Sequence, residues 1–175
     1  MKKIIIILSI LIILFITSNE SNKEVLIPKE SIRFRVIANS NSEKDQKDKR
    51  LVAKSLGNSV TTLLQNSNSL EESRFLLKNN INNFKDSIDE TLKENNIQTD
   101  YNINYGENYF PEKEYKGVTY KEGDYESLVV TLGNGEGNNF WCVLFPPLCL
   151  LEGEETTKNN VEYKSLIKEV IDKYF

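Results

Sequence analysis

Along Ile32-Arg33-Phe34-Arg35-Val36 the chain alternates apolar and charged residues, which predicts a half-buried strand. Asn39-Ser40-Asn41-Ser42 then supplies turn formers and helix caps. From Glu43 to Leu64 the period lengthens: Val52, Leu56, Val60 and Leu63/Leu64 share one helical face, behind charged first turns and with Gly57 as a local weak point. Ser69 and Glu72 are spaced as a capping box. Leu70, Leu77, Ile81, Phe84, Ile88 and Leu92 follow as one stripe, predicting a second continuous helix. Ile97, Thr99, Tyr101, Ile103 and Tyr105 alternate with Gln98, Asp100, Asn102 and Asn104 and predict the next strand. A short strand around Tyr115–Tyr120, a turn at Glu122-Gly123-Asp124 and a strand over Tyr125–Leu132 complete the β pattern. A final helix is expected over Asn159–Tyr174, aligning Tyr163, Leu166, Ile167, Val170, Ile171 and Tyr174. Between the last strand and this helix the chain reads as irregular. The simplest layered solution is one α+β domain over 31–175, a mostly antiparallel sheet with helices packed on one face.

The ends add a compartment. Lys2 and Lys3 precede the apolar run Ile4–Ile16, and the polar Thr17-Ser18-Asn19-Glu20 follows, the layout of an export segment too short for an ordinary spanning helix. Residues 1–21 are therefore read as a signal peptide or an uncleaved membrane anchor, since no Ala-x-Ala site is present and Ser18 or Ser21 is a mediocre match. Residues 22–30 read as a polar tether. At 39% apolar, 27% charged and a net charge of −4, the chain suits a packed domain. It offers no basic stripe for nucleic acid.

Chemistry is sparse. The chain has no histidine, which removes Ser-His and Cys-His nucleophile pairs and the commonest general base. Gly133, Gly135 and Gly137 read as a turn, because no Lys-Ser/Thr pair follows and Glu136 would repel a phosphate. The eleven residues Phe140–Leu150 carry no charge and hold the only Trp and both cysteines. In an oxidising compartment Cys142 and Cys149 read as a disulfide around Pro146-Pro147; two buried thiols are the alternative, and zinc lacks half its ligands. Residues 105–125 are dense in tyrosine, which suits a protein contact, stacking on sugars, or simply the core of the sheet.

Three blocks resemble the stage II sporulation protein R family: IRFRVIANSNSEKDQKDK (32–49), FPEKEYKGVTYKEGDYESLVVTLGNGEG (110–137) and NNFWCVLFPPLC (138–149). Departures are Asn138-Asn139-Phe140-Trp141 where the family more often has His-Asn-Trp-Trp, Phe110-Pro111 for Tyr-Pro, and Lys121-Glu122-Gly123 for a Pro-containing turn. The resemblance implies a non-enzymatic signalling protein of endospore formation. It would be exported from the forespore to the intermembrane space of the septum, with membrane contact through the N-terminal segment if that is uncleaved. Its implied partner is a septal membrane-embedded aspartic protease, whose activation leads to processing of the pro-form of the early mother-cell sigma factor. No cofactor, metal, nucleic acid or small-molecule substrate is expected. Contact is expected at Phe140, Trp141, Leu144, Phe145, Pro146, Pro147 and Leu148, presented as a stapled docking loop, and at Tyr109, Phe110, Tyr115 and Tyr120. Arg33, Arg35, Asn39, Asn41, Asp45 and Gln46 form a secondary polar site, or else are strand-face charges and helix caps. Competing readings are an extracytoplasmic glycan-binding protein or hydrolase working through two carboxylates, and a redox pair at the cysteines.

Overall fold

A computed structural model describes residues 25–115, 118–149 and 169–174. Its centre is the strand expected from the Ile-Arg-Phe-Arg-Val alternation, β2 (Ile32–Ile37), preceded by the short β1 (Val25–Leu26). Three helices follow: α1 (Glu43–Leu64), α2 (Leu70–Asn79) and α3 (Ile81–Glu94). The rest is β3 (Tyr101–Phe110), β4 (Lys113–Tyr115), β5 (Val118–Tyr120), β6 (Gly123–Leu132) and β7 (Asn139–Phe145). The architecture is α+β. Helical residues 169–174 are all that is described of the expected final helix, and the 1–21 segment lies outside the described residues. Among the described residues no helix is long and apolar enough to cross a membrane.

The main sheet runs in the order β3-β6-β2-β7, and β1-β5-β4 form a second, smaller sheet. Pairings β3–β6 and β2–β7 are antiparallel, but β2–β6 is parallel, so the sheet is mixed. The three helices joining β2 to β3 supply the long connection that leaves strand direction free, where a tight hairpin would force antiparallel pairing. Phe34, Val36, Leu128 and Val130 are fully buried against Val52, Leu56 and Val60 of α1, Leu77 of α2 and Ile88 of α3. Helices thus cover one face, and Tyr101, Ile103 and Tyr105 line that same face as their alternation requires.

Four local expectations change. The second helical stripe is cut at Asn80, whose side-chain amide donates to the Leu76 carbonyl and whose Oδ1 accepts from Asn83. An asparagine that bonds the backbone competes with the helix, although the apolar stripe continues across the break. Tyr101 rather than Ile97 begins β3, because Ile97 closes α3: its N–H reaches the Leu92 carbonyl at 2.8 Å and Asn96 turns left-handed at φ 52°. Gly123, expected in a turn, instead opens β6 opposite Phe110. Finally, residues 25–27 of the expected tether belong to the domain. Val25 and Leu26 pair with β5, and Ile27 is buried with Val143 and Leu148. The apolar run Val-Leu-Ile outweighs its polar flanks.

A charged clamp fixes α2 to the sheet. Arg74 donates to both oxygens of Glu126 at 2.8–3.0 Å, and the Tyr105 hydroxyl donates to Glu126 Oε1 at 2.8 Å. Burial alone would raise the Glu126 pKa, but hydrogen bonds from Arg74 and Tyr105 bring it below its ordinary value. The Tyr105 hydroxyl is pushed up, first by burial and then by the Glu126 carboxylate. A lowered carboxyl contributes stability that is complete above its unfolded pKa, about 4.3, and lost as pH falls through its folded value. Glu126→Gln is therefore expected to be less stable at pH 7 yet to lose less stability between pH 5 and pH 3. Urea unfolding at several pH values measures this; parallel pH curves would assign the acid sensitivity to other carboxylates.

Candidate functional site

The apolar block is a strand, and this changes which of its side chains reach the surface. β7 alternates, so Phe140, Cys142 and Leu144 face the helices while Trp141 and Val143 face the opposite side. Leu144, Phe145 and Leu148 are 3%, 3% and 2% exposed, and Pro146 is buried too. They form core, not the presented docking loop expected from sequence. A run of large apolar residues next to an unfilled sheet position is buried there. The strand does end at Pro146-Pro147, where proline cannot continue the ladder. Cys142 and Cys149 form a disulfide across this turn. Phe140, Trp141 and Pro147 remain partly exposed.

Trp141 lies against residues from two other blocks. Its ring meets Phe110 edge-on at 5.1 Å between centroids, with the Arg35 guanidinium at 4.8 Å and Lys113 Nζ at 5.6 Å. Arg33 sits beside them, 2% exposed, its guanidinium 3.3 Å from the Tyr125 ring centre and 5.3 Å from that of Phe110. Its Nη1 makes a long 3.5 Å contact to the Lys121 carbonyl, while Nε and Nη2 have no hydrogen-bond partner among the described residues. Burial pulls the Arg33 pKa down, partly offset by Tyr125 and Tyr120; burial also lowers that of Arg35. Both guanidiniums stay charged, because an arginine cannot be deprotonated in a folded protein near neutral pH.

Trp141, Phe110, Lys113 and Arg33 border a groove of about 680 Å³. Consecutive residues Asn139, Phe140, Trp141 and Cys142 all line it, although alternate side chains of a strand point to opposite faces. Only the edge of a strand sees both faces, so the groove follows the outer edge of β7. One bank comes from α1 through Arg50, Lys54 and Gly57, the other from Phe110 and Lys113. Among the described residues its lining contains four cations, Arg33, Arg50, Lys54 and Lys113, and no aspartate or glutamate. Asn139 Oδ1, also in the lining, is buried without a hydrogen-bond partner among the described residues.

The expected sites are thus regrouped. Phe110 and Tyr120 join Phe140 and Trp141 in the groove, whereas Tyr109 stands outside its lining, 56% exposed and bonded through its hydroxyl to Glu122. Tyr115 ends β4, and its side chain falls outside the described residues. The secondary polar site divides. Arg33 and Arg35 belong with the aromatic rings, but Asn39, Asn41, Asp45 and Gln46 tie the loop before α1 to the loop before β7. Asn39 Oδ1 accepts from the Asn134 backbone, Asn41 Oδ1 accepts from the Asn138 backbone, and Asn39 Nδ2 donates to Asp45. Hydrogen bonds from Ser40 first and Asn39 second hold the Asp45 carboxyl below its usual range. Gly133 at φ 52° and Gly137 complete the clamp, since a Cβ would strike Asn39 at one and the Ser40 carbonyl at the other. Its polar groups are spent on one another, the mark of a loop clamp. Sequence reasoning missed Arg50, Lys54 and Lys113, which resemble any solvated charges; Gly57 was visible only as a weak helix position.

The sequence profile described as Stage II sporulation protein R (spore_II_R) matches residues 28–155. The chain belongs to the stage II sporulation protein R family. That membership supports a role in sporulation. Stage II sporulation protein R of Bacillus subtilis (strain 168) is 37% identical over 131 residues, 75% of this chain. The match spans 58% of that relative's length. No solved structure matches the chain.

Proposed function

We propose that this chain is an exported, non-enzymatic signal that activates a septal, membrane-embedded aspartic protease and so leads to processing of the pro-form of the early mother-cell sigma factor. One observation carries the choice of surface. The three blocks that resemble the family, at 32–49, 110–137 and 138–149, lie far apart in sequence and converge at the groove through Arg33, Phe110 with Lys113, and Asn139 with Trp141. Activation by a bound protein needs differential affinity: the ligand must bind the active form of the protease more tightly than the inactive one. A half-exposed tryptophan among cations suits such a contact, because Trp and Arg dominate interface energetics. Hydrolysis of glycan through two carboxylates finds no support among the described residues of this groove, whose lining there holds none.

Co-expression of the chain with the protease and its pro-sigma substrate in a non-sporulating host tests the reading. Processing is expected with the unaltered chain, and a loss of at least ten-fold with Trp141→Ala. Deleting residues 1–21 is expected to abolish processing by keeping the signal inside the cell. Absence of processing with the unaltered chain sinks the proposal. Undiminished processing by a correctly folded Trp141→Ala variant moves the contact elsewhere.

A further inference from the structure

We propose that the groove takes an extended, acidic polypeptide segment that adds to the main sheet as a strand beside Asn139–Val143. The identity of the segment's owner rests on the protease reading above; its chemistry rests on the groove.

The first argument is the edge. β7 is the last strand of its sheet, so alternate backbone N–H and C=O groups along it point away from β2. Among the described residues no backbone hydrogen bond is made on that side. Such an edge is a template for an added strand, whose main-chain bonds supply affinity while flanking pockets supply selectivity.

Charge gives the second. The whole chain carries a net charge of −4, yet among the described residues this groove gathers Arg33, Arg50, Lys54 and Lys113 without one carboxylate. Arg33 is the telling member. It is almost wholly buried against the Tyr125 ring, its Nε and Nη2 have no hydrogen-bond partner among the described residues, and an ionised carboxylate is the acceptor a guanidinium binds best. Asn139 Oδ1 in the same lining has no donor among the described residues, a place that a peptide N–H satisfies and a simple anion does not.

Gly57 gives the third. Glycine inside a helix costs about 1 kcal/mol relative to alanine. Nothing among the described residues requires it here, because a Cβ at this position meets none of their atoms within 4 Å. It lines the groove, and a bare Cα lowers the α1 bank where a strand about 4.8 Å from β7 would pass. A second copy of this chain fits poorly, since pairing two β7 edges would set the same cations against one another. A lipid surface fits poorly too, because the Arg33 guanidinium is recessed.

Trp141 is the chain's only tryptophan, so its fluorescence reports occupancy of the groove in the full-length protein. The probes are a ten-residue peptide alternating valine and glutamate, its valine–lysine counterpart, and the glutamate peptide with every backbone nitrogen methylated. The glutamate peptide is expected to give a saturable change that weakens with salt, and each of the other two to bind at least ten-fold more weakly. Gly57→Leu is expected to retain the fold, judged by its urea midpoint, and to lose the glutamate peptide ten-fold or more. Arg50→Glu with Lys54→Glu, both at exposed positions, is expected to invert the preference toward the lysine peptide, and keeps the test decisive if Gly57→Leu unfolds. Equal binding of the methylated peptide overturns strand addition, and equal binding of the lysine peptide overturns the acidic preference. No binding at all, self-association in place of peptide binding, or full competition by free glutamate overturns the proposal as a whole. Peptide binding without processing by the unaltered chain would fail the protease reading and leave the groove standing; processing that survives Gly57→Leu, with no peptide binding, would do the reverse.

Discussion

Phe145→Ala is expected to lower the free energy of unfolding by about 3–5 kcal/mol, the usual cost of emptying a buried phenylalanine site. The ring is 3% exposed, joins the main core cluster and meets Tyr174 edge-on at 5.1 Å. Because native domains hold only about 5–15 kcal/mol in all, the variant should be partly unfolded at 37 °C. Processing would then fall through loss of folded protein. Trp141→Ala makes the contrast, since that side chain is only half-buried on the other face of the same strand and its removal is expected to spare most of the stability. Urea unfolding followed by far-ultraviolet circular dichroism separates the two without relying on the tryptophan. Equal urea midpoints for Phe145→Ala and the parent would show that Phe145 is not core and would restore the presented docking loop.

Arg33→Met is expected to behave in the opposite way, keeping the fold and losing the partner. Burying a cation that has no carboxylate beside it among the described residues is costly, and the stack on Tyr125 returns only about 2 kcal/mol. Methionine has a similar length and no charge to desolvate. Stability is therefore expected to stay within about 1 kcal/mol of the parent or to rise, as it does when other buried charges are replaced by apolar groups. Binding of an acidic segment should weaken by roughly 30-fold or more, about 2 kcal/mol, because one partner of a buried charged pair is then missing. The readouts are the urea midpoint and the Trp141 titration. A large drop in stability would mean that the guanidinium is satisfied within the chain, and unchanged peptide affinity would remove Arg33 from the groove's function.

The helix-facing core was legible because its pattern is local. Phe34, Val36, Leu56, Val60 and Ile88 were placed on buried faces by period alone, and all of them are fully buried. Boundaries failed where a single polar residue exerted its own geometry, at Asn80 inside the long stripe and at Asn96 before β3. The candidate site was legible in its residue types and not in its grouping. Phe110 and Trp141 were singled out for different surfaces, yet they touch; Arg33 and Asp45 were placed in one polar site, yet they face different neighbours.

By itself the sequence determined an α+β domain, the faces of its main strands and helices, the absence of any histidine-based chemistry and the family of the chain. These follow from side-chain period, composition and motif, properties that the chain carries wherever it goes. Only the tertiary structure decided that β2 runs parallel to β6, that the apolar block is a strand at the sheet's edge, and that four scattered cations share one groove. Those outcomes depend on which distant segment occupies the neighbouring position. Leu144 is equally apolar as a docking surface and as core, and what buries it is the sheet and helix built by residues about a hundred positions earlier.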